Sequence, residues 1–424
     1  MDANGYTPVP VVTPRDGSTQ PAILADAAQG SFDPDWNIPG SVRERVTGLL
    51  LGTIASSNPS EDAYEALLTA VCAHYAEPMG YLFGEDVASA LLMPRGLLAQ
   101  GSILSRIVEV LDEETCSSVE VMGWLYQFYI SERKDEYFRS KKKATAADIP
   151  AATQLFTPEW IVAYLTENSL GRLWMLNNPK SELADSMDYY VVPEGDELHI
   201  EVASADEIRV LDPACGSGHI LVYAFDLLYR MYEEEGWDGE DIPEMILRNN
   251  LYGLEIDQRA AEIASFALEM KAREKDPRFF EKDVDAQITV LQKVPKLEPQ
   301  EERLAPQLAQ RKELLDAMAH LDEVGSLYVP DPLDESVLSY ELEHVEHDGS
   351  LFAESVISKL GVMLTNVKAL NRIFHCVIAN PPYMGSGNMG GWLNAWVRKH
   401  YPNEKADLCT CFINRSFGFT KAAG

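Results

Sequence analysis

Two hydrophobic patterns divide the chain. From residue 41 to about residue 138, apolar residues recur every three to four positions, which is the spacing of amphipathic helices. Later in the chain, short continuous apolar runs alternate with helical patterns and glycine-containing turns, as in buried parallel strands joined by helices. The first residues are rich in proline, aspartate, glycine and serine, which disfavours a helix. The pattern therefore predicts an α/β protein with an extended, irregular segment at 1–40, a helical N-terminal domain at 41–150 and an α/β domain at 151–424.

The clearest strand-to-helix transition is RVLDPACGSGH, residues 209–219. Residues 219–231 continue with apolar positions at helical spacing. Gly216 and Gly218 allow the backbone to turn tightly and to approach a ligand closely. In an open α/β sheet, the loop after such a strand binds nucleotide-like ligands. Asp212, at the end of the predicted strand, can accept hydrogen bonds from an amine or a cation of such a ligand.

The glycine spacing argues against a dinucleotide site. The G-x-G-x-x-G fingerprint fails at its third glycine, where this chain has Leu221. The heptapeptide DPACGSG (212–218) instead resembles motif I of the amino-methylating DNA methyltransferases, and NPPY (380–383) resembles their motif IV. Both motifs occur in the order that this family uses.

This resemblance implies a Rossmann-like domain that binds S-adenosylmethionine (SAM). The segment FTP at 156–158 resembles motif X, and LEID at 254–257 resembles motif II. Thr157 would lie near the amino-acid end of SAM and cap a helix that begins at Pro158. Glu255 would bind the ribose hydroxyls, and Asp257 would cap the next helix. The implied cofactor residues are Phe156, Thr157, Asp212, Pro213, Ala214, Cys215, Gly216, Gly218, Glu255 and Ile256, with Ile256 against the adenine.

Two parts of the implied domain are less defined. Motif III supplies an acid near the cofactor adenine, and Asp283, Asp285 and Asp322 are all candidates. Residues 295–370, between the third and fourth strands, form an acidic insertion. The family sheet needs strands after residue 379, so we expect an incomplete sheet on a polypeptide that lacks both ends of the family's longer proteins, and we leave open whether it is active alone.

The NPPY stretch suits methylation of an exocyclic amine. The lone pair of such an amine is delocalised into its ring, so an enzyme must accept hydrogen bonds from the NH₂ group and orient it. Asn380 offers a side-chain carbonyl, and Pro381 offers a backbone carbonyl. Pro382 stiffens the loop, and Tyr383 can stack on a base that has rotated out of the duplex. No metal is needed for this chemistry.

A more specific resemblance selects the substrate. Residues 123–136, 149–158 and 168–174 resemble PglX, the family of adenine-specific methyltransferases of BREX phage-defence systems. The resemblance implies methylation of adenine N6 in duplex DNA, with other proteins of a phage-defence complex as partners. The alternatives are a methyltransferase on another planar amine, in an RNA base or a protein glutamine, and a non-catalytic fragment that binds partners.

The charge of the chain complicates a DNA substrate. The formal net charge is −32, with 35 basic against 67 acidic residues, which repels a polyanion overall. Arg133, Lys134, Arg139 and residues 141–143 form the one dense basic cluster. It is either a solvated helix end or a phosphate contact beside the active site.

Three further features complete the expectations. An aromatic stripe that includes Trp124, Phe128 and Tyr129 is typical of helix core packing. The six cysteines show no disulfide framework, so we expect reduced thiols in a cytoplasmic protein. No apolar run is long enough to span a membrane.

Overall fold

The structure is a computed structural model that describes residues 1–15, 18–76, 78–83, 93–111, 113–116, 118–119, 121–154, 157–195, 198–345 and 350–421. The chain divides into two compact units, Met1–Val121 and Met122–Gly424. This division falls about one helix before the domain boundary that the sequence pattern predicts near residue 150.

The first unit is helical in its described residues. Its α-helices are α1 (Ala22–Ala28), α2 (Gly40–Leu50), α3 (Pro59–Tyr75), α4 (Gly80–Phe83), α5 (Ile103–Val110) and α6 (Glu113–Cys116). Helix α1 lies inside the segment that we expected to be irregular. It forms because Ile23 and Leu24 are buried, so tertiary packing stabilises a helix too short to be stable alone.

The second unit contains a small sheet surrounded by helices. Its first helices are α7 (Val121–Ser140), α8 (Ile149–Thr153), α9 (Glu159–Thr166), α10 (Arg172–Asn177), α11 (His219–Glu234), α12 (Ile242–Asn249) and α13 (Gln258–Lys275). The others are α14 (Pro299–Leu304), α15 (Lys312–Ala319), α16 (Leu321–Val324), α17 (Asp334–His344), α18 (Leu351–Asn371), α19 (Gly391–His400) and α20 (Leu408–Phe419). The strands are β1 (Val210–Asp212), β2 (Leu251–Glu255), β3 (Gln287–Val290) and β4 (Cys376–Val377).

The sheet has the strand order β3-β2-β1-β4, and all its pairs are parallel. The chain starts in β1, moves outward through β2 to β3, and then returns to the other side of β1 as β4. This reversal makes the gap between β1 and β4 the topological switch point, where α/β sheets bind ligands beyond the carboxyl ends of their strands. The Rossmann-like α/β fold predicted from the sequence is thus confirmed, with four strands in the described part of the chain.

The strand before the glycine turn and the helix after it form where the apolar pattern placed them. Every residue of β1 and β2 is buried, as expected for central parallel strands. Helix α11 begins at His219, immediately after the glycine turn, and buries ten of its sixteen residues. Asp257 caps α13, as predicted, because its carboxylate accepts hydrogen bonds from the backbone N–H groups of Arg259 and Ala260.

The acidic insertion is a packed part of this unit. Leu314, Met318 and Leu321 belong to the same hydrophobic cluster as Leu211 of β1. Some of its acids are neutralised locally, as where the Glu301 carboxylate lies 2.6 Å from the Lys359 ammonium. Hydrophobic burial and local ion pairs therefore let an acidic segment fold against the sheet.

The aromatic stripe on α7 contradicts the expected core role. Phe128 is 75% exposed and Tyr129 is 66% exposed, whereas Gly123 and Ile130 face inward. A Cβ atom at position 123 would lie 2.8 Å from Ser217 Oγ and 3.2 Å from Ser217 Cβ, so a larger residue would crowd the loop between β1 and α11. The small residue, rather than the aromatic stripe, determines which face of α7 is buried.

No helix in the described ranges is long and apolar enough to cross a membrane.

Candidate functional site

The loop between β1 and α11 has the geometry that its glycines predicted. Gly216 and Gly218 both adopt left-handed backbone conformations, with φ of 53° and 88°. A Cβ at Gly218 would come within 3.0 Å of the Ala264 Cβ, so this glycine allows α11 to start close to α13. A Cβ at Gly216 would meet nothing within 4 Å, and Gly216 itself lines the cleft. Gly216 thus keeps open the space in which a ligand can contact the backbone.

Two buried carboxyl groups stand at the ends of neighbouring strands. Asp212 ends β1 and is 2% exposed, while Glu255 ends β2 and is 7% exposed. Asp212 Oδ1 accepts a hydrogen bond of 3.1 Å from the Ala214 N–H. Burial, opposed by the Ala214 N–H and assisted by the nearby charge of Glu255, raises the pKa of Asp212 to about 7. Asp212 is therefore partly ionised near neutral pH, and its ionised form can bind a cationic ligand.

Glu255 is held by the backbone of both adjoining loops. Its Oε2 accepts from the Gly216 N–H at 2.8 Å, and its Oε1 accepts from the N–H groups of Ile256 and Asp257 at 2.9 and 3.0 Å. Burial raises the pKa of Glu255, although these backbone donors oppose the rise. The contacts fix one carboxylate between the two strand ends, where it can accept hydrogen bonds from ligand hydroxyl groups.

Helix α7 forms another wall of the cleft. Tyr126 Oη donates a 2.6 Å hydrogen bond to Asp257 Oδ2, which ties α7 to the start of α13. Gly123, Gln127 and Ile130 lie on the same wall. Sequence analysis assigned this helix to the N-terminal domain and therefore missed its contribution to the site.

The NPPY loop and the TP segment meet at the cleft. Asn380 Nδ2 donates to Thr157 Oγ1 at 3.0 Å, although the two residues are 223 positions apart. The prediction that Thr157 caps α9 is wrong, because α9 begins at Glu159 and Pro158 occupies the cap position without a side-chain contact. The Thr157 hydroxyl is instead directed to Asn380. Phe156 lies outside the described residues.

A turn from the acidic insertion closes the far side. Residues Gly325–Leu327 line the cleft, and Ser326 Oγ donates to Pro213 O at 2.6 Å. Behind this turn, Arg415 of α20 donates to Ser326 O at 3.0 Å and to Leu370 O at 2.8 Å. No sequence motif marked the turn, because its role depends on packing between distant segments.

Together these segments enclose a cleft of about 1080 Å³, its open mouth included. Of the predicted site residues, those that line it are Thr157, Asp212, Pro213, Ala214, Cys215, Gly216, Glu255, Ile256, Asn380 and Pro382. Gly218 and Pro381 are not among the lining residues, and Tyr383 is 56% exposed.

Of the three motif III candidates, none lines the cleft, and Asp322 instead lies 2.7 Å from Lys293 Nζ. Its neighbour Glu323 does line the cleft. Cys215 is buried, and burial raises the pKa of its thiol well above the usual range, so the thiol stays protonated and unreactive.

Comparison with known proteins yields similarities of three kinds. The family model described as Eco57I restriction-modification methylase matches residues 249–424. The "Adenine-specific methyltransferase BrxX" of Escherichia coli O9:H4 (strain HS) is 37% identical over 408 residues, which cover 87% of this chain and 34% of that protein. The "Adenine-specific methyltransferase PglX" of Lacticaseibacillus casei (strain Zhang) is 31% identical, covering 100% of this chain and 37% of that protein.

These two relatives are much longer than this chain, which spans about a third of their length. Among solved structures, a nuclease-deletion mutant of the Type ISP restriction-modification enzyme LlaGI in complex with a DNA substrate mimic matches 93% of this chain and 27% of its own. The TM-score of this match is 0.36, and the sequence identity is 13%.

Proposed function

The chain is homologous to the adenine-specific methyltransferases BrxX and PglX, and on this premise we propose that it transfers the methyl group of SAM to N6 of adenine in duplex DNA. The observation that carries the proposal is the 3.0 Å hydrogen bond between Asn380 and Thr157 beside the glycine cleft. This contact joins the loop that would bind the target amine to the segment that would cover the cofactor.

The cleft suits SAM in the chemistry of its lining groups. Glu255 Oε2, which accepts from one backbone N–H, can accept a further hydrogen bond from a ribose hydroxyl. Ionised Asp212 can attract the cationic methionine end. Ile256 and Leu291 offer apolar contacts to the adenine. When bound, SAM supplies an activated methyl group on a sulfonium.

Asn380 is the group that we assign to the target amine. Asn380 lines the cleft, and its Nδ2 atom donates to Thr157, which leaves its Oδ1 atom without a donor from the residues that the structure describes. This oxygen can accept a hydrogen bond from the adenine amine, and the Pro381 carbonyl can accept a second. Two such acceptors aim the nitrogen lone pair at the methyl group. Exposed Tyr383 is available to stack on a flipped base.

Other parts of the proposed role follow from the relatives rather than from the site. We propose that the methylated DNA belongs to a phage-defence or restriction-modification system and that other defence proteins bind this chain. We further propose that the protein acts in the cytoplasm, where SAM and DNA are both present.

Tritiated SAM and plasmid DNA test the assignment. We expect label in DNA, and N6-methyladenine in its nuclease digest by mass spectrometry. Asn380→Ala should lower kcat about 100-fold or more, the usual loss when an aligned polar group is removed from an active site. Asn388→Ala is the matched control, because Asn388 is an exposed amide in the same loop.

Two results would contradict the proposal. Full activity of Asn380→Ala would remove the role assigned to Asn380. Transfer of label to RNA or protein, with none to DNA, would reassign the substrate to another planar amine.

A further inference from the structure

Gln154 lies on the wall of the cleft but belongs to none of the motifs that predicted the site. It follows α8 directly, and its backbone is anchored on both sides. Its N–H donates to Pro150 O at 2.9 Å, and its carbonyl accepts from Lys134 Nζ at 3.3 Å. The side chain lines the cleft together with Thr157 and Asp212. The backbone of Gln154 is therefore held by hydrogen bonds that do not involve the Gln154 side chain.

The carboxamide of Gln154 is buried and unpaired. Neither Oε1 nor Nε2 has a hydrogen-bond partner among the residues that the structure describes. Proteins rarely leave a buried amide in this state, because the lost hydrogen bonds to water are not replaced. Where such a group borders a cleft, the missing partner is most simply a ligand.

The other polar groups of the cleft are engaged differently. Asn380 already donates to Thr157, and the carboxyl groups of Asp212 and Glu255 accept from backbone N–H groups. Gln154 alone among these four offers a donor and an acceptor side by side. That pattern is complementary to an adenine edge, where an exocyclic amine lies next to a ring nitrogen.

We infer that Gln154 binds an adenine edge through two hydrogen bonds, with Oε1 accepting from the amine and Nε2 donating to a ring nitrogen. The inference rests on the proposed function, because SAM and the target nucleotide each carry an adenine. The adenine of the cofactor and the adenine of the target nucleotide present the same hydrogen-bonding edge, and the two arms of the test distinguish between them.

The first arm of the test measures cofactor binding. The full chain is titrated by calorimetry with S-adenosylhomocysteine and with S-inosylhomocysteine, in which an oxygen replaces the amine. If Gln154 binds the cofactor adenine, the wild type prefers the adenine compound about tenfold or more, the discrimination typical of a paired contact to a base. Gln154→Leu then loses this preference. Gln310→Leu, which removes an exposed amide, keeps it.

The second arm measures methyl transfer to plasmid DNA. If Gln154 binds the target adenine, Gln154→Leu keeps its selectivity for S-adenosylhomocysteine, but its transfer rate falls about tenfold or more. Gln154→Ala should behave in the same way, which excludes an effect of leucine bulk.

The melting temperature separates a ligand-binding role of Gln154 from a structural one. If Gln154 serves only the ligand, Gln154→Leu removes an unpaired buried amide, and its melting temperature should equal or exceed that of the wild type. A lower melting temperature together with weaker binding would overturn the inference. Selectivity and transfer rate both within about twofold of wild type would also overturn it.

The wild-type protein distinguishes these failures from failure of the proposed function. A wild type that binds neither nucleoside refutes the proposed function, and the inference with it. A wild type that binds the nucleosides but methylates no DNA refutes the proposed function alone, and the selectivity of Gln154→Leu then decides the inference.

Discussion

Asp212 and Glu255 show how burial changes the chemistry of residues that the sequence could identify. Both were predicted as ligand acceptors from their places in two motifs. The structure adds that they are buried at adjacent strand ends and that burial raises the pKa of both. The charge of Glu255 also contributes to the raised pKa of Asp212. Asp212 is thereby brought to a pKa of about 7, so the site can respond to pH in the physiological range.

The first prediction concerns the pH dependence of SAM binding. Ionised Asp212 attracts the cationic end of SAM and protonated Asp212 does not, so affinity should fall up to about tenfold per pH unit below the pKa of about 7. Asp212→Asn should bind weakly and lose this dependence. Calorimetry between about pH 5.5 and 7.5 measures both. A wild-type affinity that is flat with pH would show that Asp212 does not contact the cation.

The raised pKa of Asp212 also makes the folding stability of the unliganded protein depend on pH. This stability falls as the pH rises, whereas the affinity for SAM increases. Because the folded state binds the Asp212 proton more tightly, the stabilisation relative to Asp212→Asn is fully present below the ordinary carboxyl pKa of 3.8. It is lost as the pH rises through about 7.

At the scale of elements, the cleft is built where one strand, one turn and one helix start come together. The turn after β1 needs left-handed backbone at Gly216 and Gly218, but the two glycines have different neighbours. Gly218 touches helix α13 at Ala264, whereas Gly216 faces the cleft. One glycine therefore allows close packing between elements, and the other leaves space in the cleft open.

A matched pair of substitutions separates these roles. Gly218→Ala should lower the free energy of unfolding by about 2–4 kcal/mol, since left-handed strain adds to overpacking against Ala264. Gly216→Ala carries only the backbone strain, about 1–2 kcal/mol, and should mainly weaken SAM binding. Urea unfolding and calorimetry measure the two effects. An equal loss of stability in both variants would refute the distinction.

At the scale of the whole molecule, charge is the property that most constrains the proposed substrate. The chain carries a net charge of −32, yet Lys141, Lys142 and Lys143 are exposed in one short segment. The next residue, Ala144, donates its N–H to Asn388 O at 2.8 Å, which places this segment beside the loop that follows NPPY. A local basic surface near the loop that we propose binds the target base can attract DNA phosphates despite the overall charge.

Replacement of these three lysines by alanine tests the phosphate contact. DNA affinity should fall, and the slope of log affinity against log salt should decrease by up to about 2.7, or about 0.9 for each lost phosphate contact. SAM affinity should not change. Lys296→Ala serves as the control, because Lys296 Nζ lies 3.7 Å from an Asp316 carboxylate oxygen. An unchanged salt slope would identify the cluster as a solvated helix end.

The sequence by itself predicted the α/β fold, the strand–turn–helix at 209–219, and residues at the ends of β1 and β2 and in the NPPY loop that the structure brings to one cleft. It could do so because apolar periodicity and glycine turns are local, and because the chemistry of Asn380 or Asp212 depends first on residue type. The exposed face of α7 was misjudged for the same reason. Local spacing identified an aromatic stripe, but the packing of Gly123 on Ser217 decided which face turned inward.

Only the tertiary structure decided how the cleft is closed. The contact between Asn380 and Thr157, the support of Ser326 by Arg415 and the unpaired amide of Gln154 all arise between segments far apart in the chain. Each depends on which backbone and side-chain groups remain unpaired after the sheet and helices have packed. That outcome is a property of the whole fold, because hydrogen-bond partners are allocated across distant segments and not within a local sequence pattern.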